Sequence, residues 1–101
     1  MQAAEKLIDI IPSAEMVRFG KNGSDATSAA IRLARAYTRR DFVAVCGYHG
    51  WHDWYLSANL ENNKSLDKHL LSGLKPKGVP KNLVDTIYPF HYNQFTELEK
   101  I

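Results

Sequence analysis

An α/β fold with a mostly parallel sheet follows from two features of this sequence and from their order. Phe42-Val43-Ala44-Val45-Cys46 is an apolar run without polar alternation, the pattern of a strand covered on both faces. Ahead of it, Ser24 to about Thr38 repeats apolar residues at helical spacing, and a short strand-like stretch, Glu15 to Phe19, precedes that helix. Strand, helix and strand within this length make a βαβ unit with a right-handed crossover. The 101 residues suit one modest domain or a piece of a larger one.

The elements follow in order. Residues 2–11 place Ala3, Ala4, Leu7, Ile8 and Ile11 on one helical face, and Pro12 stops that helix. Met16-Val17-Arg18-Phe19 ends at Gly20, and Lys21-Asn22-Gly23-Ser24-Asp25-Ala26-Thr27 opens the second helix. Gly23 can take the positive φ of a sharp strand-to-helix turn, Ser24 is a good N-cap, and Asp25 lies where the macrodipole favours negative charge. Ala26, Ala29, Ala30, Leu33, Ala34 and Tyr37 form the stripe expected to pack on the sheet, with Ser28, Arg32, Arg35 and Arg39 opposite. From Asn59 to Asn82 the chain turns polar, with Lys64, Lys68, Lys75, Lys77 and Lys81 among glycines and prolines. A short helix fits Ser65 to Leu71, and so long a loop implies function, an interface or mobility. Leu83–Tyr88 reads as a third strand ended by Pro89; Phe95, Leu98 and Ile101 begin a last helix that stops abruptly, as a piece of a longer protein would.

A formal net charge of +2 argues against a nucleic-acid partner held by a dense basic surface, and Arg32, Arg35, Arg39 and Arg40 read as a solvated helix face. The lone Cys46 excludes an internal disulfide framework and points to a reducing, cytoplasmic setting. No apolar run is long enough to span a membrane, and residues 1–6 lack a secretory pattern, so no membrane partner is expected.

Chemistry concentrates in two stretches. The helix opened by Gly23-Ser24-Asp25 leaves backbone N–H groups without partners inside the helix, a ready site for phosphate. The pattern matches neither nucleotide fingerprint, and an ordinary capped helix would look the same. Gly47-Tyr48-His49-Gly50-Trp51-His52-Asp53-Trp54-Tyr55 offers Tyr48 or Trp51 as a stacking surface, or else anchors a loop to the core. In a parallel pair the loops leaving the two strands emerge at one edge, so both stretches should face one crevice. Cys46, His49 and His52 could be read as zinc ligands, although the spacing is unlike common structural zinc sites. His69 and His91 are isolated and expected at the surface, and no nucleophile elbow or carboxylate pair stands out.

Taken in series, Ala4–Ile8, Ser13–Phe19, Gly23–Ala26, Arg32–Thr38 and Tyr48-His49-Gly50-Trp51-His52-Asp53 resemble the class III aminotransferases, a pyridoxal-phosphate-dependent family. The likeness is strongest to the glutamate-1-semialdehyde 2,1-aminomutases, which are isomerases, and it covers nearly the whole chain. It implies that residues 1–101 are the N-terminal part of a large domain with the three-layer α/β sandwich of the aspartate-aminotransferase-like transferases. It implies pyridoxal 5'-phosphate as cofactor, with Gly23 and Ser24 on the phosphate, Asp25 beside them, Tyr48 over the pyridine ring and His49 adjoining it. Many members carry Gly-Thr-Glu-Ala where this chain has Gly23-Ser24-Asp25-Ala26, which keeps the hydroxyl and the charge with a shorter reach.

The resemblance further implies a small-molecule amino-group donor or acceptor as substrate, a cytoplasmic homodimer for the whole protein, and a transaminase or aminomutase activity. The family's Schiff-base lysine and the aspartate facing the pyridine nitrogen fall beyond Ile101, so this polypeptide alone is expected to be inactive. Two other classes remain open on residues alone: a non-enzymatic anion- or nucleotide-binding α/β module, and a small zinc module on Cys46, His49 and His52.

Overall fold

The computed structural model describes residues 2–67, 69 and 73–101. Helix α1 (Gln2–Ile10) is followed by α2 (Gly23–Thr38), strand β1 (Val43–Cys46), the single turn α3 (Asp53–Leu56), strand β2 (Ile87–Phe90) and α4 (Phe95–Glu99). Short 3-10 turns at Ser57–Asn59 and Lys81–Leu83 sit between α3 and β2. No helix among these residues is long and apolar enough to cross a membrane.

The two strands are parallel, with Val43 opposite Ile87 and Cys46 opposite Phe90. The expected α/β character and parallel pairing are therefore present, as a two-stranded sheet. Val45 and Ile87 drop from it into a core completed by Tyr55, Leu56, Leu66 and Val79, with Val43, Trp54 and Leu83 packed around. Asn59, fully buried, ties the long polar loop to this core: its amide donates to Leu74 O at 2.8 Å and its carbonyl accepts Leu66 N–H at 3.0 Å. Both ends of that buried side chain are thereby satisfied, which removes the cost of burying it.

Four expectations need correction. Glu15–Phe19 is not a strand, because no described neighbour offers it a ladder of hydrogen bonds. The run after the polar loop pairs four residues later than Leu83 and passes through Pro89. There, the 3-10 turn at Lys81–Leu83 and the left-handed Asp85 (φ 64°) delay the strand. Val43 N–H donates to Thr86 O at 2.9 Å, and parallel alternation then turns the Pro89 nitrogen away from β1, where its missing N–H costs no ladder bond. Third, β1 is covered on one side only, with Val45 buried and Ala44 exposed.

The fourth correction concerns α2. Its half-buried residues are Ser24, Thr27, Ser28, Ile31 and Arg35, one continuous helical face, while Leu33 is 68% and Tyr37 92% exposed. The alanine stripe thus points outward and the small polar face points in. Of the expected short helix at Ser65–Leu71, Lys68, Leu70 and Leu71 lie outside the described residues, and Ser65–Asp67 form turns.

Candidate functional site

The N-terminal end of α2 is built by three side chains with separate tasks. Asn22, not Ser24, is the N-cap: its extended backbone (φ −148°) lets its side chain accept Asp25 N–H at 2.9 Å. Asp25 returns the favour to the incoming loop, its carboxylate accepting Lys21 N–H at 3.1 Å. Because Asn22 takes the cap, the Ser24 hydroxyl is released from that duty. Gly23 is the first helical residue and does not carry a positive φ; Gly47 (89°) and Gly50 (107°) do. Among the described residues neither Gly23 nor Ser24 N–H meets an acceptor, so two donors remain at the positive end of a four-turn helix.

The loop leaving β1 closes onto this end. Thr27 Oγ1 lies 3.1 Å from both Ser24 O and His49 O, so its one hydrogen is shared between helix and loop. A Cβ on Gly50 would stand 2.5 Å from Ser24 Oγ, so the loop backbone rests directly on the serine. Trp54 Nε1 donates to Ser28 Oγ at 3.0 Å. Ser24, Thr27 and Ser28 share one helix face by their i, i+3, i+4 spacing. The two stretches expected to meet from strand topology are therefore in contact, but through these contacts and without the first strand.

Within the loop, Tyr48 is half-buried with its ring 5.8 Å from Tyr55 at 89°. His49 Nε2 is 2.9 Å from Cys46 O; a carbonyl only accepts, so Nε2 carries the proton. Its ring packs on Trp54 and Tyr55 at 6.1 and 5.9 Å. Trp51, the alternative stacking residue, is 72% exposed and lies over His52 at 6.3 Å. Among the described residues no three His, Cys, Asp or Glu side chains are grouped to hold a metal, so Cys46, His49 and His52 do not assemble the zinc reading.

Three residues at this site have no counterpart in the sequence reading of its chemistry: Thr27, Tyr55 and His69. Tyr55 is fully buried, its hydroxyl 3.0 Å from Gly47 O and 3.0 Å from His69 Nδ1. Burial, with a smaller contribution from Tyr48, pushes its phenol up to about 12. His69 and His91 are not free surface residues. Their rings meet at 5.2 Å, and His91 Nδ1 lies 3.0 Å from Glu97 Oε2. Thr27 and Tyr55 lay within stretches already singled out, at helical spacing from Ser24 and at the end of the aromatic run. Nothing local marks His69, which arrives through the fold.

Chemically, two N–H donors and a serine hydroxyl at a helix N-terminus suit a multiply charged oxyanion such as phosphate. A tyrosine on the adjoining loop suits an aromatic ring attached to it. That donor set fits a phosphorylated planar cofactor.

No family model matches the chain. It is 40% identical over 97 residues to the 3-aminobutyryl-CoA aminotransferase of Cloacimonas acidaminovorans, covering 96% of this chain and 19% of that protein. It is 37% identical over 102 residues to the glutamate-1-semialdehyde 2,1-aminomutase of Sulfurisphaera tokodaii, covering 99% of this chain and 23% of that one. An omega-transaminase crystal structure from Sphaerobacter thermophilus superposes with a TM-score of 0.67 at 29% identity, over 96% of this chain and 23% of that one. The chain thus spans about a fifth of the length of the curated relatives it matches.

Proposed function

This chain belongs to the class III aminotransferase family, and on that premise we propose that it is the N-terminal part of the cofactor-binding large domain and supplies half of a pyridoxal 5'-phosphate site. The observation that carries this reading is the meeting of α2 with the β1 exit loop at Ser24 and Gly50, which brings the helix end against the loop that carries Tyr48. Gly23 and Ser24 hold the phosphate through backbone N–H groups and the serine hydroxyl. Tyr48 covers the pyridine ring and His49 supports it from the next position. Asp25 serves by shaping the turn, its side chain accepting Lys21 N–H.

When bound, the cofactor supplies the electron sink for moving an amino group. The whole protein is accordingly an aminotransferase or aminomutase acting on a small amino-group donor or acceptor, as a cytoplasmic homodimer. This chain alone contributes binding and orientation without amino transfer. Two or three charge-assisted hydrogen bonds of ~1.5–3 kcal/mol each are largely offset by an association cost of about 4–15 kcal/mol, so an affinity of millimolar or weaker is expected.

Titration with pyridoxal phosphate, followed by cofactor absorbance and by Trp51 and Trp54 fluorescence, tests this reading. Weak saturable binding, lowered in Ser24→Ala and in Tyr48→Ala, is the expected result. Equal binding by wild type and both variants would show that the helix end does not hold the cofactor. A borohydride-trapped adduct at one defined lysine would overturn the assignment of this chain to binding alone.

A further inference from the structure

We propose that Tyr55 and His69 form a positioning unit that sets the direction of the Tyr48 side chain, an inference that rests on the reading of Tyr48 as the ring-facing residue. The Gly47 carbonyl and the Tyr48 N–H belong to one planar peptide, so anchoring that oxygen fixes the plane from which Tyr48 departs. Gly47 itself cannot fix it: at φ 89° it occupies a region that only glycine enters cheaply, and glycine leaves the following peptide loosely specified. The Tyr55 hydroxyl, 3.0 Å from Gly47 O, provides the anchor.

The direction of each hydrogen bond follows by elimination. A carbonyl only accepts, so the Tyr55 hydroxyl donates its one hydrogen to Gly47. His69 Nδ1, 3.0 Å from the same oxygen, must then be the donor in its own bond. This places a proton on His69 Nδ1. Burial holds His69 below the usual histidine range, and His91 and His49 act in the same direction against the carbonyls of Gly47 and Phe90. Its Nε2 is buried without a hydrogen-bond partner among the described residues. Donation therefore runs from His69 through Tyr55 to Gly47, each bond polarising the next. The Tyr55 ring completes the unit, lying 5.8 Å from Tyr48 and 5.9 Å from His49.

The test uses the full chain, labelled with carbon-13 and nitrogen-15, as wild type, Tyr55→Phe, His69→Ala and His69→Asn. Tyr55→Phe keeps the ring and removes only the anchor. It should retain the far-ultraviolet dichroism of the wild type, shift the Gly47 carbonyl and Tyr48 amide resonances, and weaken pyridoxamine phosphate binding about three- to tenfold. His69→Ala should shift the same resonances less. The asparagine amide can stand where Nδ1 stands, so His69→Asn should move them back toward wild type. Unchanged Gly47 and Tyr48 resonances in Tyr55→Phe would overturn the proposal. Equal spectra for His69→Ala and His69→Asn would remove His69 from it. Should Tyr55→Phe fail to fold, the two His69 variants decide by the same resonances. A wild type that binds no pyridoxamine phosphate would defeat the cofactor reading alone, because the resonances report the anchor without ligand.

Discussion

The packed core and the anion-favouring helix end lie in different stretches of the chain. Every member of the buried apolar cluster falls between Val45 and Ile87, whereas neither α1 nor α2 buries a side chain. The stretch with the core owes its order to apolar burial, which is strong and tolerant of small shifts. Helix α2 is held by polar contacts from Ser24, Thr27 and Ser28 and by a backbone approach at Gly50, which are weaker and demand particular geometry. The site is thus placed by the part of the molecule with the least burial and the most specific contacts.

Breaking the core should have the largest effect. Leu66 is 1% exposed and Leu33 68%. Leu66→Ala should cost about 2–5 kcal/mol in urea unfolding. Leu33→Ala should stay within about 0.5 kcal/mol. Equal losses would erase the contrast between the two stretches.

A smaller and more local effect is expected at the junction. Gly50→Ala forces φ 107° on a residue with a Cβ and drives that Cβ against Ser24 Oγ. The backbone strain alone costs about 1–3 kcal/mol. Adding Ser24→Ala should recover part of the loss but not all, since the Ser24 Cβ position remains 3.3 Å away and the strain persists. Full recovery would show that only the hydroxyl mattered; no recovery would show that the two residues do not touch. Urea unfolding of the four proteins in the cycle decides.

The smallest effect belongs to the chain's last helix. The Glu97 carboxyl is held below the usual glutamate range by the His91 N–H and then by the His91 side chain. A lowered pKa means that the folded state prefers the ionised form. That contribution is in place above the ordinary glutamate value and is lost as pH falls through the lowered one. Melting temperature followed from pH 6 to pH 3 should therefore lose one acid-dependent component in Glu97→Gln, and an unchanged acid limb would rule that component out.

Much of this was legible in the sequence where the signal is local. The 24–38 helical repeat and the Phe42–Cys46 run gave α2 and β1 to within a residue, because spacing and continuous apolarity are properties of the segment itself. The convergence of Ser24 with the Tyr48–Gly50 loop was also anticipated, but from a parallel pair with Glu15–Phe19 that does not form; the hydroxyl contacts and the Gly50 approach make it instead. What failed depended on neighbours. Glu15–Phe19 has strand-like composition but no paired strand, and Leu83 yields to a turn whose start is set by Pro80. The alanine stripe of α2 states what the helix could bury; the hydroxyls opposite it found partners instead. The cap moved to Asn22 because its extended backbone reaches Asp25 N–H, which leaves Ser24 free for the loop. His69 could not be found locally at all, since its partner Tyr55 is fourteen residues away.

The most direct measurement is an amide map of the labelled chain titrated with pyridoxamine phosphate, which keeps the phosphate and the ring and lacks the aldehyde that reacts with surface lysines. Shifts concentrated at the Gly23 and Ser24 amides and at Tyr48 and His49 are the predicted result. Shifts centred on Lys75, Lys77 and Lys81, with residues 23–24 and 48–49 unmoved, would contradict the assignment of the α2 end and its aromatic loop as the cofactor half-site.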